Sequence, residues 1–448
     1  MMRTQELEID KMRNLPHDLI LGILELSLSS MKARAAVQAC MLFKGWNHLW
    51  PFFSCLDFDL SEFNSGDPIQ DKQRFSCFVS TMLEHRKAPK VDKFGLACVN
   101  LCEEQYSLTI TQWIMYALQH QVKVLELALC SWIGSLMTRW IHVAFDSLEE
   151  LHLRLNDCSC LCHPVNMTTL SIFPRLQRLN LHSQRMMYGH FFKDLFSRCP
   201  FLKDLRLESF IVPYSSIIRA EHLERLSFKN CNLKYKVGTD RRVYLETKKI
   251  NFSRLQKLFY QGKDLSFGWY IMVLISGCPL LEDLWLESFS VPFGSAICSP
   301  KLQNLTLKNC KNTDRFTKIV APGLVSFCFI GLIEDAAPLV HKVGSISSLI
   351  HAKFSLHDNS FDSYFLERAL RSLSYVKNLE LCVNELTPSP QSPPYYPALY
   401  NLKSLSFCGH CSNYVIYMCK DMPNLEKISF WPYCQHSPWF FEVLILFR

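Results

Sequence analysis

The sequence predicts an α/β solenoid, with a parallel sheet on the concave side, helices on the convex side and a small three-helix module ahead of the array. Three observations carry this expectation. A long phrase is duplicated: CPFLKDLRLESFIVPYSS begins at Cys199 and CPLLEDLWLESFSVPFGS begins at Cys278, 79 residues later. A shorter pattern, apolar-x-x-apolar-x-apolar, recurs from Val91 to Leu425 in 13 steps of about 26 residues. The segments ahead of many of these patterns carry apolar residues at helical spacing.

The short pattern defines the strand. Its last two apolar residues lie two apart and so point to one face of an extended segment, while the first marks the entry to the strand. Clear copies include Leu202-Leu205-Leu207, Leu281-Leu284-Leu286 and Leu302-Leu305-Leu307. Stacking such units yields one continuous apolar core under a parallel sheet. The step length falls in the 20–29 residue range of leucine-rich repeats. Their usual Asn or Cys position is irregular here, which marks degenerate units. The other reading, an ordinary α/β domain with several similar strands, does not account for so many copies at one spacing.

The helical segments follow. In HFFKDLFSRCP, Phe192, Leu195, Phe196 and Cys199 fall at i, i+3, i+4 and i+7. WYIMVLISGCP, YFLERALRSLSYV and YVIYMCKDMP repeat the pattern.

Composition narrows the function classes. Hydrophobic residues make up 49% and charged residues 20% of 448, a globular balance, and the length exceeds one ordinary core. The formal charge of +7 arises from 48 basic residues scattered among 41 acids, without the basic stripe expected of a nucleic-acid binder. No secretory signal opens the chain and no apolar run reaches membrane-spanning length. The 20 cysteines then read as small buried side chains in a reducing cytoplasm and/or nucleus.

Motifs for catalysis and cofactors are not found. There is no GxGxxG, P-loop or GxSxG. Cys158, Cys160, Cys162 and His163, and Cys408, His410 and Cys411, have metal-ligand chemistry, but neither group has a second CxxC at finger spacing. The expectation is no cofactor, no metal, no nucleic acid, no membrane and no enzyme.

Residues 15–50 form a separate unit. Pro16 and Asp18 suit a helix start, and Leu19, Ile20, Ile23 and Leu24 make its apolar stripe. A second helix is expected over Lys32 to Cys40, with Ala36, Val37 and Cys40 inward. A third short helix ends near Trp50. Three helices this short make a marginal core, which favours docking onto a partner. Read structurally, the same stretch would cap the solenoid.

This stretch resembles the F-box. The opening Leu-Pro-x-Asp-Leu is matched by Leu15, Pro16, Asp18 and Leu19, the Ile-Leu pair by Ile23 and Leu24, and the apolar-x-Lys-x-Trp signature by Leu42, Lys44 and Trp46. With CLDFDL as a first strand and the GCPLLEDLWL phrase in the repeats, the whole chain resembles the plant F-box/leucine-rich-repeat family. The resemblance implies a substrate-recognition subunit of an SCF-type ubiquitin ligase, joined by a Skp-type adaptor to cullin and RING subunits. It implies adaptor-binding residues Leu15, Pro16, Leu19, Ile23, Leu24, Val37, Leu42 and Trp46, the last chiefly as a core anchor. A non-degradative scaffold and a small-molecule receptor are the alternatives. The expected layout is a tail at 1–14, the F-box at 15–54 and the solenoid at 55–448. A basic insertion at 232–251 and a Pro-rich loop at 387–397 interrupt the array.

Strand alternation names the residues expected on the open face, four after each opening apolar position. They are Glu126, His152, Asn180, Arg206, Ser227, Phe259, Trp285, Thr306, Cys328, Lys353, Glu380, Ser406 and Ser429. Phe259 and Trp285 interrupt this mostly polar row in consecutive repeats. Two readings stand: a target-binding hot spot with Arg206 and Glu287 as a polar rim, or an apolar patch covered by another part of the chain.

Overall fold

In the computed structural model, the described residues are 19, 31–42, 48–130, 146–156, 173–183, 191–213, 220–234, 252–262, 265–356, 371–383, 399–408, 422–431 and 443–446. The chain divides into two compact units, Met1–Ser216 and Ile217–Arg448.

The first unit carries six parallel strands paired in chain order: β1 (Cys55–Asp59), β2 (Lys93–Ala97), β3 (Val124–Cys130), β4 (Glu150–Asn156), β5 (Arg178–Ser183) and β6 (Asp204–Glu208). Parallel neighbours need crossovers. Helices supply several of them: α1 (Ala33–Leu42) precedes β1, then α2 (Pro68–His85), α3 (Glu104–Gln119) and α4 (Phe191–Arg198) follow. The start of α2 is written in its sequence: the Asp67 carboxylate accepts from the amides of Ile69 and Gln70, and Pro68 fills the first turn. The predicted face of α4 is inward, with Phe192, Leu195 and Cys199 buried.

The second unit adds β8 (Arg225–Lys229), β10 (Lys257–Gln261), β11 (Asp283–Glu287), β13 (Asn304–Lys308), β15 (Ser326–Gly331), β16 (His351–Leu356), β17 (Asn378–Val383), β18 (Ser404–Cys408) and β19 (Lys427–Trp431), all parallel. Helices α5 (Leu265–Ser276) and α6 (Ile333–Gly344) lie between strands. The apolar C-terminal sequence forms β20 (Val443–Leu446), which pairs antiparallel with β19.

The repeat is visible in hydrogen bonding. In the second unit the carbonyl of Glu224 accepts from the amides of Gln256 and Lys257, that of Gln256 from Glu282 and Asp283, and that of Glu282 from Gln303 and Asn304. Lys123, Glu149 and Gln177 do the same in the first unit. Each of these turns thus satisfies the entry amides of the next strand, as buried backbone donors require. Beneath them the paired leucines are buried: Leu205 and Leu207 are 0% and 1% exposed, Leu284 and Leu286 are 2% and 0%. Both units are therefore leucine-rich-repeat arrays.

Helical spacing precedes many strands but not all, and helices do not occupy every return path. The step from Leu202 to Leu223 is 21 residues, as is that from Leu281 to Leu302. After a strand and two turns, too few residues remain for a helix of ordinary length. Short strands take its place: β7 (Ile211–Pro213) in the first unit, and β12 (Ser295–Cys298) beside β14 (Phe316–Val320) in the second; β9 (Asn232–Lys234) is a further short strand of the second unit. The turn that starts each return has its own signature. Ser209, Asn230, Ser288 and Asn309 adopt positive φ, and each is followed by a buried Phe or Cys: Phe210, Cys231, Phe289 and Cys310. Left-handed backbone suits Asn better than most side chains. These Phe and Cys residues fill the irregular Asn/Cys position, and Cys310 Sγ donates to the Leu286 carbonyl of the preceding strand at 3.3 Å.

Candidate functional site

The outer face of the second unit's parallel strands presents its ladder in the order read from the sequence. Ser227 pairs with Phe259, Phe259 with Trp285, Trp285 with Thr306, and the row continues through Cys328, Lys353, Glu380, Ser406 and Ser429. The first unit holds the corresponding row Glu126, His152, Asn180 and Arg206. Ser429 departs from the expectation of an exposed ladder: it is 1% exposed. It pairs with Leu444 of β20, which closes the hydrogen-bonding edge of the last parallel strand.

Phe259 and Trp285 are neighbours in space. Their ring centroids are 5.9 Å apart with the planes tilted by 38°, a favourable offset for two aromatic quadrupoles. Phe259 is half-buried, while Trp285 remains 39% exposed. The indole N–H of Trp285 donates to Glu287 Oε2 at 3.4 Å, and Glu287 Oε1 pairs with Lys308 Nζ at 3.1 Å. The carboxylate therefore holds the indole from one side and a lysine from the other, which limits the rotamers open to Trp285. The strand places Glu287 two residues on, and alternation brings both side chains to one face.

Lysines and acids frame the pair. Lys257 Nζ bonds Asp283 at 2.6 Å, and Asn304 also donates to Asp283. Further along, Lys353 pairs with Glu380 at 2.8 Å. In the first unit, Arg206 pairs with Asp204 of its own strand at 3.3 Å, Arg178 with Glu150 at 2.8 Å and Lys93 with Glu126 at 3.0 Å. Arg206 and Glu287 thus each have a local partner, which the expectation of a shared rim did not foresee. A groove of about 830 Å³ lies at the strand-entry edge of the first unit, lined by Asp146, Glu149, Pro174, Arg175, Gln177, Phe201 and Lys203.

The N-terminal module is described in part. The helix expected over Lys32 to Cys40 is α1, with Ala33, Ala36 and Cys40 buried and Val37 half-buried. Leu19 is helical and 56% exposed. Leu42 closes α1. Leu15, Pro16, Ile23, Leu24 and Trp46 lie outside the described residues, as do most of the basic insertion, the Pro-rich loop and the 158–163 cysteine group. The module is tied to the array through Lys32, which bonds Asp57 of β1 at 3.0 Å and Asp59 at 3.4 Å. Arg34 adds a hydrogen bond to the Glu62 carbonyl and lies 4.5 Å from the centre of the Phe63 ring.

Chemistry-bearing groups elsewhere are quiet. Among the described residues no group of three or more His, Cys, Asp or Glu is arranged for a metal, and no helix is long and apolar enough to cross a membrane. Burial pushes the thiols of Cys98, Cys199, Cys278 and Cys310 up to about 12, so they serve as apolar filling. Cys382 differs from that pattern and is disulfide-bonded.

Parallel strands paired in register over a leucine core, with a mostly polar outer row and a helical segment fastened to the first strand, define a leucine-rich-repeat protein. No family model matches the chain. Curated relatives do: an FBD-associated F-box protein of Arabidopsis thaliana is 29% identical over 237 residues, 49% of this chain and 49% of the relative. An F-box/LRR-repeat protein of the same plant is 27% identical over 209 residues, covering 44% of this chain and 36% of the relative. A second F-box/LRR-repeat protein is 24% identical over 346 residues, 69% of this chain and 74% of the relative. The chain is a homologue of the plant F-box/leucine-rich-repeat proteins. Its match to the first two spans half or less of their length.

Proposed function

We propose that this chain is the substrate-recognition subunit of an SCF-type ubiquitin ligase. The F-box at 15–54 docks a Skp-type adaptor, which links it to cullin and RING subunits. The repeats at 55–448 hold the target protein. Catalysis belongs to the other subunits, and this chain contributes proximity and orientation. The setting is cytoplasm and/or nucleus.

The observation that carries the reading is the Phe259–Trp285 pair, an exposed aromatic anchor set in register in a row of polar residues. Aromatic residues surrounded by polar neighbours are where binding energy concentrates. The relatives' names and the Leu15 to Trp46 spacing support the docking half of the proposal. The contact surface on the adaptor side is assigned to Leu15, Pro16, Leu19 and Ile23, with Leu24, Val37, Leu42 and Trp46 supporting it.

The test is capture of a purified Skp-type adaptor by the intact chain and by a Leu15→Ala, Pro16→Ala double variant, with matched melting curves as a folding control. Adaptor recovery with the intact chain and its loss in the variant is the expected result. Equal recovery by both overturns the docking assignment, and recovery by neither removes the ligase role and leaves a non-degradative scaffold.

A further inference from the structure

The strand-entry edge of the first unit is built from two rows of side chains. Three consecutive repeats bend there around their opening leucines, Leu148, Leu176 and Leu202, which are 0%, 0% and 2% exposed. The residue after each leucine is placed by the backbone. The Gln177 amide donates to the Glu149 carbonyl at 2.8 Å, and the Lys203 amide to the Gln177 carbonyl at 2.9 Å. Glu149, Gln177 and Lys203 thus form one row just ahead of the paired strands β4, β5 and β6. The residues before the leucines form the other: Asp146, then Pro174 and Arg175, then Phe201. These two rows line the groove of about 830 Å³.

Charges on the strands themselves are already committed: Arg178 pairs with Glu150 at 2.8 Å and Arg206 with Asp204 at 3.3 Å. Lys123, one repeat earlier in the first row, is held by Asp92 at 2.8 Å. The groove differs. Among the described residues, the side chains of Asp146, Glu149, Arg175 and Lys203 enter no ion pair and no hydrogen bond. They are also segregated, with both acids at the β4 end and the bases at the β5 and β6 end. Two strand spacings of about 4.8 Å separate the ends. Phe201, 55% exposed, and Pro174 add apolar surface beside the bases. Opposite charges at the two ends and an aromatic ring at one of them give the groove a direction, which a merely solvated edge lacks.

We propose that this groove, on the reading of the chain as a target receptor, takes an extended segment of the target with opposite charges at its two ends. A Lys or Arg of the segment meets Asp146 and Glu149. An Asp or Glu at the other end meets Arg175 and Lys203, and a large apolar side chain beside it packs on Phe201 and Pro174. The segment's two charges stand about 10 Å apart, or about three residues of extended chain. A segment of one sign throughout sets a like charge against one end of the groove, which costs affinity and selects against it. The groove lies within the first unit, so it is a contact surface distinct from the Phe259–Trp285 row of the second.

The experiment measures fluorescence anisotropy of a labelled, end-capped peptide with Lys-Ala-Ala-Glu-Phe at its centre, added to the full chain. Comparison peptides replace the Lys by Glu, the Glu by Lys, or the Phe by Ala. The mixed-charge peptide binds tightest, and less tightly as salt rises. Phe201→Ala weakens it about ten-fold or more, as expected at an aromatic anchor. An Arg175→Glu, Lys203→Glu double variant weakens it and turns the preference toward the peptide with two Lys residues. Equal or tighter binding of either like-charged peptide to the unaltered chain overturns the proposal, as does no binding of the mixed peptide, or indifference to Phe201→Ala. A dimer of the chain that the double variant dissolves, with no peptide bound, also overturns it and gives the groove to a second copy. Adaptor capture by the same protein samples reads the receptor assignment separately: if it persists while the peptide result fails, only the groove's chemistry is wrong. Circular dichroism of the variants guards against misfolding, and the reversal of preference is a gain that unfolding cannot produce.

Discussion

Lys32, the residue just before α1, places its ammonium 3.0 Å from the Asp57 carboxylate of β1. A cation at a helix start opposes the helix dipole. Here it is offset by two acids of the first strand, Asp57 and Asp59. Gly95 takes part from the next strand: a Cβ there would meet Asp57 Oδ1 at 2.6 Å, so the absent side chain leaves the carboxylate its position. The link between the N-terminal helix and the repeats is thus built from three elements in chain order.

Lys32→Met is expected to loosen α1 without unfolding the array. The pair is partly solvated, with the lysine 40% and Asp57 22% exposed, so its loss costs about 0–1 kcal/mol. Hydrogen exchange of residues 33–42 should speed up while that of β3 and β4 stays unchanged. Uniform acceleration would refute a local link.

The same link sets a pH window. Burial opposes the charged form of Asp59, but hydrogen bonds from the Ser61 hydroxyl and amide and the charge of Lys32 outweigh it and hold the carboxyl below its ordinary value. Burial likewise opposes the charged Lys32, and pairing with Asp57 and Asp59 holds it above the ordinary lysine value. The depressed acid stabilises above its unfolded pKa and loses that contribution as pH falls through the folded value. The raised lysine contributes fully below its unfolded pKa and is lost as pH rises through the folded value. Exchange protection of α1 should therefore be flat from about pH 5 to 10 and decline below about pH 4. A decline near neutrality would contradict the assignment.

Leu284→Ala should destabilise the second unit by about 2–5 kcal/mol, since it removes a side chain 2% exposed from between stacked repeats. Urea denaturation reads the change. A loss under about 1 kcal/mol would mean that the core is not where the repeat pattern puts it.

Gly344→Ala, at the end of α6, is predicted to cost more than a helix propensity scale allows. An added Cβ would lie 2.2 Å from the Ser372 carbonyl oxygen, and backbone cannot rotate away as a flexible side chain can. Overpacking of about 1–3 kcal/mol should outweigh the gain expected from replacing a helical glycine. A raised melting temperature would show the contact to be absent.

Much of this architecture was legible because one period governs it. The leucine spacing alone placed Phe259 opposite Trp285 and carried the row through β19, since a ladder of identical turns leaves no freedom in register. What escaped was whatever the period does not encode. The return strands β7, β12 and β14 follow from short steps, a signal present in the 21- and 22-residue spacings but overshadowed by the helical segments elsewhere. The antiparallel pairing of β20 with β19 lies outside the period, so repetition offers no guide to it. Glu287 was expected at a rim; its hydrogen bond from the Trp285 indole comes from strand alternation two residues on, and its Lys308 partner from the next repeat. Both ends of each ion pair were in the sequence, but pairing depends on side-chain reach, which spacing leaves open.

The most direct test of a chain that grips a target with its repeats and hands it to a ligase through its N-terminal helices is sequential capture. The intact chain is bound through its Skp-type adaptor, and proteins retained with it from plant extract are identified before and after Trp285→Ala. The account predicts that the intact complex retains at least one target, that Trp285→Ala loses it while keeping the adaptor, and that Leu15→Ala with Pro16→Ala loses the adaptor while free chain still holds the target. If both functions vanish together in either variant although the protein remains folded, or if neither responds, the division of labour between the two ends is contradicted.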